Sequence, residues 1–165
     1  MCIRDSCVIM LITSTCVKMN FSTVGVRTAL RDFELAYWLN LQYGLTLVCR
    51  PDPLDTWEES AVWEYNVFDG KDQNGEAVCM IMNISSGAKT NKVEGWSLFE
   101  SMPEKHLLPS VKHWDYVLIA ENSDFAFDLE SALKKNSKIT TAQYFEAHTQ
   151  LTQQETHLLY EIRNV

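Results

Sequence analysis

Residues 115–121, DYVLIAE, set five apolar side chains in an unbroken row between two acidic ends. The row is too short to be a helix and too apolar for a half-solvated strand, so it reads as a strand in the interior of a sheet. The rest of the chain must supply that sheet and its cover.

Upstream, Phe21, Thr23, Val24 and Val26 suggest a first strand, with Thr28 placed as the N-cap of a helix. Leu30, Phe33, Tyr37, Trp38 and Leu41 recur at helical spacing and predict one apolar stripe, leaving Arg31, Asp32, Glu34 and Asn40 for the other faces and Gly44 as the stop. Residues 45–50 read as a second strand closed by Pro51 and Pro53, and the acidic stretch to residue 60 reads as a loop. Residues 63–68 and 76–84 predict a hairpin, because Asp69-Gly70 and Asn74-Gly75 between them are strong turn dipeptides. A polar loop over 85–95 and a strand over 96–99 follow. A second helix starts near Ser123, with Phe125, Leu129, Ala132 and Leu133 on one face, Asp124 at its positive end and Lys134 and Lys135 at its negative end. Residues 139–147 give a last long strand. Thr152 and Glu155 then fit a capping box for a short turn before Leu158, Leu159 and Tyr160.

This order predicts an α+β fold: a single, mostly antiparallel sheet with two main helices packed on one face, ferredoxin-like as the leading layout. With 165 residues, 46% of them hydrophobic, the chain can bury a core without disulfides or metals. Residues 19–165 are read as one domain. Residues 1–18 stand apart as a non-native or disordered leader. Their apolar run at 7–17 resembles the core of a signal peptide, but Arg4 is offset by Asp5 and no small-residue cleavage site follows. Residues 1–5, MCIRD, are also what a common transposon sequencing adapter would encode.

A net charge of -8 repels phosphate backbones and anionic headgroups, so neither nucleic acid nor a membrane is expected as a partner. The five cysteines form no C-x-x-C pair, which suggests neither a disulfide framework nor a zinc site and points to the cytoplasm. Cys49 and Cys79 lie in apolar runs and are expected to be buried and reduced.

No catalytic, cofactor or metal residue is predicted. Glu104, His106, His113 and Asp115 cluster, but the spacing of the two histidines is no recognised ligand spacing. Gly87, Lys89 and Lys92 lack the phosphate-loop pattern, and no Ser or Cys sits in a nucleophile motif. His148 and His157 flank the terminal turn. Asp52, Asp55, Glu58 and Glu59 read as a solvated acidic surface, and Asn83-Ile84-Ser85 carries no weight as a glycosylation sequon in this setting. Trp57, Trp63, Trp96 and Trp114 are either core residues or anchors for a protein partner. Two function classes stay open: a non-enzymatic interaction module, or a small-molecule binder or enzyme whose site assembles only in the fold.

Three stretches, FSTVGVRTALRDFELAYWLNLQYGLTLV, LLPSVKHWDYVLIAEN and TAQYFEAHTQLTQQETHLLYE, resemble the IPExxxDY family of Bacteroidota. Pro109, Asp115 and Tyr116 match the motif, Ser110 stands where the motif has glutamate, and four residues rather than three separate Ser110 from Asp115. The resemblance implies a bacterial cytoplasmic protein and lends no reaction. On their own chemistry the three motif residues read as structural. Pro109 shapes the approach to the strand, Asp115 accepts from amides of the preceding turn, and Tyr116 lays its ring on a sheet face with its hydroxyl near the edge.

Overall fold

The computed structural model describes residues 21–58, 61–86, 88–90 and 104–164. The leader at 1–18 and the strand expected at 96–99 lie outside them. In chain order the described elements are β1 (Ser22–Thr28), α1 (Asp32–Tyr43), β2 (Val48–Cys49), β3 (Leu54–Glu58), β4 (Ala61–Tyr65), β5 (Val67–Lys71) and β6 (Ala77–Met82). After them come β7 (Ile84–Ser86), β8 (Ala88–Thr90), β9 (Glu104–His106), a 3-10 turn at Pro109–Val111, and β10 (Tyr116–Ala120). The chain finishes with α2 (Ser123–Leu133), β11 (Ile139–Phe145), α3 (Ala147–Gln150) and α4 (Gln153–Arg163).

The main sheet has six strands in the order β11-β1-β10-β6-β5-β2. Every neighbouring pair is antiparallel. Numbered among themselves, β1, β6, β10 and β11 lie fourth, first, third, second, which with α1 and α2 is the doubly split β-α-β order of the ferredoxin-like layout. β5 and β2 extend that sheet, and two small sheets, β3-β4-β8 and β7-β9, complete the strands.

The row of apolar residues that predicted an interior strand is β10, buried along its whole length. Side chains alternate across a strand, so Tyr116, Leu118 and Ala120 enter one core while Val117 and Ile119 enter another. The first core is roofed by α1 and α2, through Leu35, Ala36, Leu39, Ala126, Leu129 and Leu133. The opposite core takes Trp63 and Tyr65 from β4, Leu108, Val111 and Trp114 from the segment before β10, and Leu159 and Ile162 from α4. The two expected helices do share one face. The other face is covered as well, because the predicted capping box is real but opens an 11-residue helix rather than a short turn. Thr152 accepts from the Glu155 amide at 3.2 Å, and the Glu155 carboxylate accepts from the Thr152 amide at 2.8 Å.

Several local expectations are corrected. Thr28 is the last residue of β1, and the helix starts only at Asp32. The predicted stripe is split: Phe33, Tyr37 and Leu41 are exposed, while Leu30 and Trp38 pack against the core beside the buried Leu35, Ala36 and Leu39. Apolar residues run all round this helix, so spacing alone defines no single face. Its rotation is fixed instead by Asn40, which sequence reading left to solvent. The Asn40 amide donates to the Leu47 carbonyl at 2.9 Å, and its oxygen accepts from the Leu47 amide at 2.8 Å. The second strand shrinks to two exposed residues, so Cys49 is exposed rather than buried. Leu45 and Leu47 take the inside positions, pressing the chain so close to β5 that a Cβ on Gly70 would lie 2.7 Å from the Leu47 nitrogen. Of the two turn dipeptides, only Asn74-Gly75 turns, with Gly75 at φ 85°, while Asp69 and Gly70 continue β5. The acidic stretch is not all loop, since β3 pairs there with β4 and sets Asp55 opposite Glu64.

Candidate functional site

Asp115 and Tyr116 stand where β1 ends and β10 begins, and Pro109 lies six residues upstream in the 3-10 turn. Asp115 accepts the Thr28 amide on Oδ2 at 2.7 Å, and its own amide donates to the Val26 carbonyl at 3.0 Å. The carboxylate is thus an anchor, as expected, but it holds the end of β1 rather than the turn before it. Tyr116 turns its ring into the helix-roofed core and donates its hydroxyl to the Leu30 carbonyl at 2.9 Å. Burial, then the Asp32 and Asp115 carboxylates, push the Tyr116 pKa up, so the phenol stays a donor. Pro109 is exposed at the first position of the 3-10 turn, where its missing amide costs nothing. None of the three opens onto a reactive group. Asp115→Ala should therefore lower stability by about 0.5–2 kcal/mol, and Asp115→Asn by less, because an amide oxygen still accepts. Urea melts of the two variants check this, and an undiminished Asp115→Ala protein would contradict the anchoring role.

A residue that the motif does not contain organises this region. Asn83 is fully buried, and its side chain accepts from the Leu108 amide at 2.8 Å while donating to the Trp114 carbonyl at 2.9 Å and the Val111 carbonyl at 3.3 Å. Its backbone donates to the Asp115 carbonyl at 2.8 Å and accepts from Leu107 at 2.9 Å. A single asparagine thus ties down residues 107–115. In the sequence it stood only as a polar residue inside the expected strand 76–84 and in a sequon without weight.

Glu155 closes the same segment from the other side. Its carboxylate accepts the Ser110 amide at 2.9 Å and the Ser110 hydroxyl at 2.6 Å, as well as the Thr152 hydroxyl at 2.8 Å. Burial alone would push this carboxyl up, but the hydrogen bonds from Ser110 and Thr152 outweigh it and hold the pKa below the ordinary value. A carboxyl depressed in the folded state binds its proton more readily when unfolded. Its contribution is complete above the ordinary carboxylate range and is lost as pH falls through that range towards the folded value. Glu155→Gln should accordingly flatten the acid side of a stability-against-pH curve, measured by urea melts from neutral pH to the acid limb. An unchanged acid limb would count against the clamp.

The remaining candidates are dispersed. Trp63 and Trp114 are buried in the core under α4, and Trp96 and the Trp57 side chain lie outside the described residues. Trp114 rests on Gly25, where a Cβ would stand 2.4 Å from two indole carbons. His113 lies beside the Trp114 ring at 4.5 Å, His106 pairs with Ile84 across the small sheet, and His148 and His157 face Glu146 and Glu161 on the surface. Glu104 is exposed on β9, and Asp52 lies on the rim of a cleft beside Arg50. Lys92 and Glu59, together with the side chains of Lys89 and Glu58, are outside the described residues. Among the described residues, no three His, Cys, Asp or Glu side chains gather in a metal-binding group.

Two clefts flank the end of α4. One, of about 270 Å³, is lined by Arg50, Asp69, Cys79 and Arg163; the other, of about 650 Å³, by Arg50, Leu54, Val67, His157 and Tyr160. Their cations are already engaged. Arg50 forks onto Asp69, with one arm at 2.9 Å, and donates to the Ile162 carbonyl at 2.6 Å, while Arg163 pairs with Glu121. Cys79 is buried, and desolvation followed by the Asp69 charge pushes its thiol up, away from a reactive thiolate. The clefts thus hold internal ion pairs where a ligand site would present unsatisfied groups.

Among the described residues the large apolar side chains open to solvent are Phe33, Tyr37 and Leu41 on the outer face of α1, with Val48, Phe127 and Tyr160 elsewhere. Phe33, Tyr37 and Leu41 are 56%, 69% and 65% exposed and succeed one another at four-residue intervals, forming a ridge along the helix. No family model, curated protein or solved structure matches the chain. No described helix is long and apolar enough to cross a membrane.

Proposed function

We propose that the protein is a non-catalytic cytoplasmic interaction module that docks a protein partner on the Phe33–Tyr37–Leu41 ridge. The observation that carries this reading is the combination of exposure and rigidity in α1. Three large apolar side chains stand in solvent on a helix whose rotation is locked by Asn40 and whose start is pinned by Asp32, which accepts from the Asn66 amide at 2.6 Å. Aromatic and aliphatic anchors carried in a row on one held helix suit use as an interface. The partner is a protein segment with an apolar ridge flanked by Lys and Arg, since the chain carries a net charge of -8. The anchoring bonds of Asp115 to Thr28 and of Tyr116 to Leu30 support a structural motif and, with it, kinship to the IPExxxDY proteins of bacteria.

The test pairs the native chain with Phe33→Ser/Tyr37→Ser/Leu41→Ser. These side chains leave the core untouched, so each change should alter stability by less than about 0.5 kcal/mol. In pull-downs from the native host, a basic partner should be held by the native chain, released by salt, and absent from the variant at an unchanged melting temperature. A partner held equally by both proteins sinks the reading.

A further inference from the structure

β1 lies between two other strands, and from Ser22 to Thr28 its residues are buried with one exception, Arg27. Arg27 is opposite Thr141 on β11, and Gly25 is opposite Gln143, so Arg27, Thr141 and Gln143 share the face on which Trp114 covers Gly25. All three are exposed, which marks a window at this end of the sheet where the covering layer stops short. Cations rim the window. Lys112 and His113 are exposed in the turn that ends at Trp114, and the exposed Lys138 is held at the strand end by the Thr28 hydroxyl, which donates to its carbonyl at 2.8 Å. Elsewhere in this chain of 22 acidic and 14 basic side chains, Arg50 pairs with Asp69, Arg163 with Glu121 and Lys134 with Glu130. Arg27, Lys112 and Lys138 have no carboxylate partner among the described residues. The carboxylates at this end are committed, since Asp115 accepts the Thr28 amide, Glu34 the Arg31 amide and Glu155 the Ser110 amide.

We propose that this window is an interaction surface for an acidic segment of a protein partner, with Arg27 as its central anchor. A guanidinium forks onto a carboxylate through two parallel hydrogen bonds, and this one rises from a strand held on both edges by β10 and β11. Lys112 precedes β10 and Lys138 precedes β11, so they stand on opposite sides of β1, and acidic side chains flanking the central one each meet a cation. Thr141 and Gln143 add neutral donors on the same face. Charge selects the occupant. The window attracts carboxylates at short range, whereas the net charge of -8 repels a duplex or an anionic bilayer, which must lie against a far larger surface. A short acidic segment touches the window alone. The α1 ridge lies over the opposite, helix-roofed face of the sheet, so this inference does not rest on the ridge.

Fluorescence anisotropy with a labelled peptide of alternating glutamate and glycine tests this, beside a glutamine-glycine peptide of the same length, with melting temperatures confirming the fold of each variant. The native chain should bind the acidic peptide saturably and the neutral one about tenfold more weakly. Arg27→Glu, Lys112→Glu and Lys138→Glu should each raise the dissociation constant by about tenfold. Arg27→Lys keeps the charge but loses the fork, and should raise it by about threefold. Lys71→Glu makes the same change in net charge at the far end of the sheet, where Lys71 is opposite Ala77, and should leave binding unchanged. The ridge variant of α1 should bind the peptide as the native chain does, which separates this surface from the docking face. Absence of saturable binding overturns the proposal, as does an equal loss for Lys71→Glu and Arg27→Glu, the mark of net charge alone. Tighter binding of a DNA duplex or of phosphatidylserine vesicles than of the acidic peptide overturns it too.

Discussion

Asn83→Ala should lower the unfolding free energy by about 3–5 kcal/mol, among the largest losses that one side-chain truncation can produce. The side chain is fully buried and its three hydrogen bonds all go to backbone groups of the segment before β10. Truncation removes all three, strands the Leu108 amide and the Trp114 carbonyl in a dry core, and opens a cavity. Each stranded group costs about 1–3 kcal/mol, which dominates over the modest net value of the bonds themselves. Asn83→Asp should be no milder, because a carboxylate cannot donate to the two carbonyls and would face their lone pairs. Urea melts at neutral pH measure both. A loss under about 1 kcal/mol for Asn83→Ala would mean that residues 107–115 are held chiefly by other contacts.

The contact of Trp114 with Gly25 carries the second large effect. Trp114→Ala should cost about 3–5 kcal/mol, as for other buried aromatics cut to the β-carbon. Gly25→Ala should cost about 1–3 kcal/mol, because the new methyl meets the indole well inside contact distance while β1 is held on both edges by β10 and β11. The double variant should cost clearly less than the two changes added together, since the methyl occupies space the indole has left. Additive losses would show that the two residues act independently, contrary to the geometry.

These positions also show what the sequence discloses. β10, α2, β11 and the Thr152–Glu155 box were legible because each announces itself locally: an unbroken apolar row, a stripe with complementary end charges, a long β-rich run, a paired capping signature. The α+β class follows from that sequence of elements, and β11, β1, β10 and β6 fall in the order of the ferredoxin-like layout that led the expectations, although the elements alone do not fix that order. The inward face of α1 was not legible. Spacing offers Phe33, Tyr37 and Leu41 as readily as Leu35 and Leu39, and the choice is made by a bond from Asn40 to Leu47 that no local pattern reveals. The same holds for the candidate site. Pro109, Asp115 and Tyr116 stand out by resemblance, but Asn83 and Glu155 reach the segment between Pro109 and Asp115 from 28 and 45 residues away along the chain, through bonds to Val111 and Ser110. Trp114 and Trp63 stood as possible anchors because tryptophan serves cores and interfaces alike, and only the sheet decides which.

Chain order gives β1 an unusual history. It is the first strand of the sheet, yet both strands that flank it, β10 and β11, are among the last, and Thr23 meets Phe145 across a separation of 122 residues. On a ribosome, β1 therefore emerges with neither neighbour in existence and must wait for nearly the whole chain. Closing so long a loop is entropically costly, so the central pairing belongs late in folding and its rate should sit at the slow, millisecond-to-second end for a chain this size. Until then the apolar face of Val24 and Val26 is a natural substrate for chaperones that shield nascent strands.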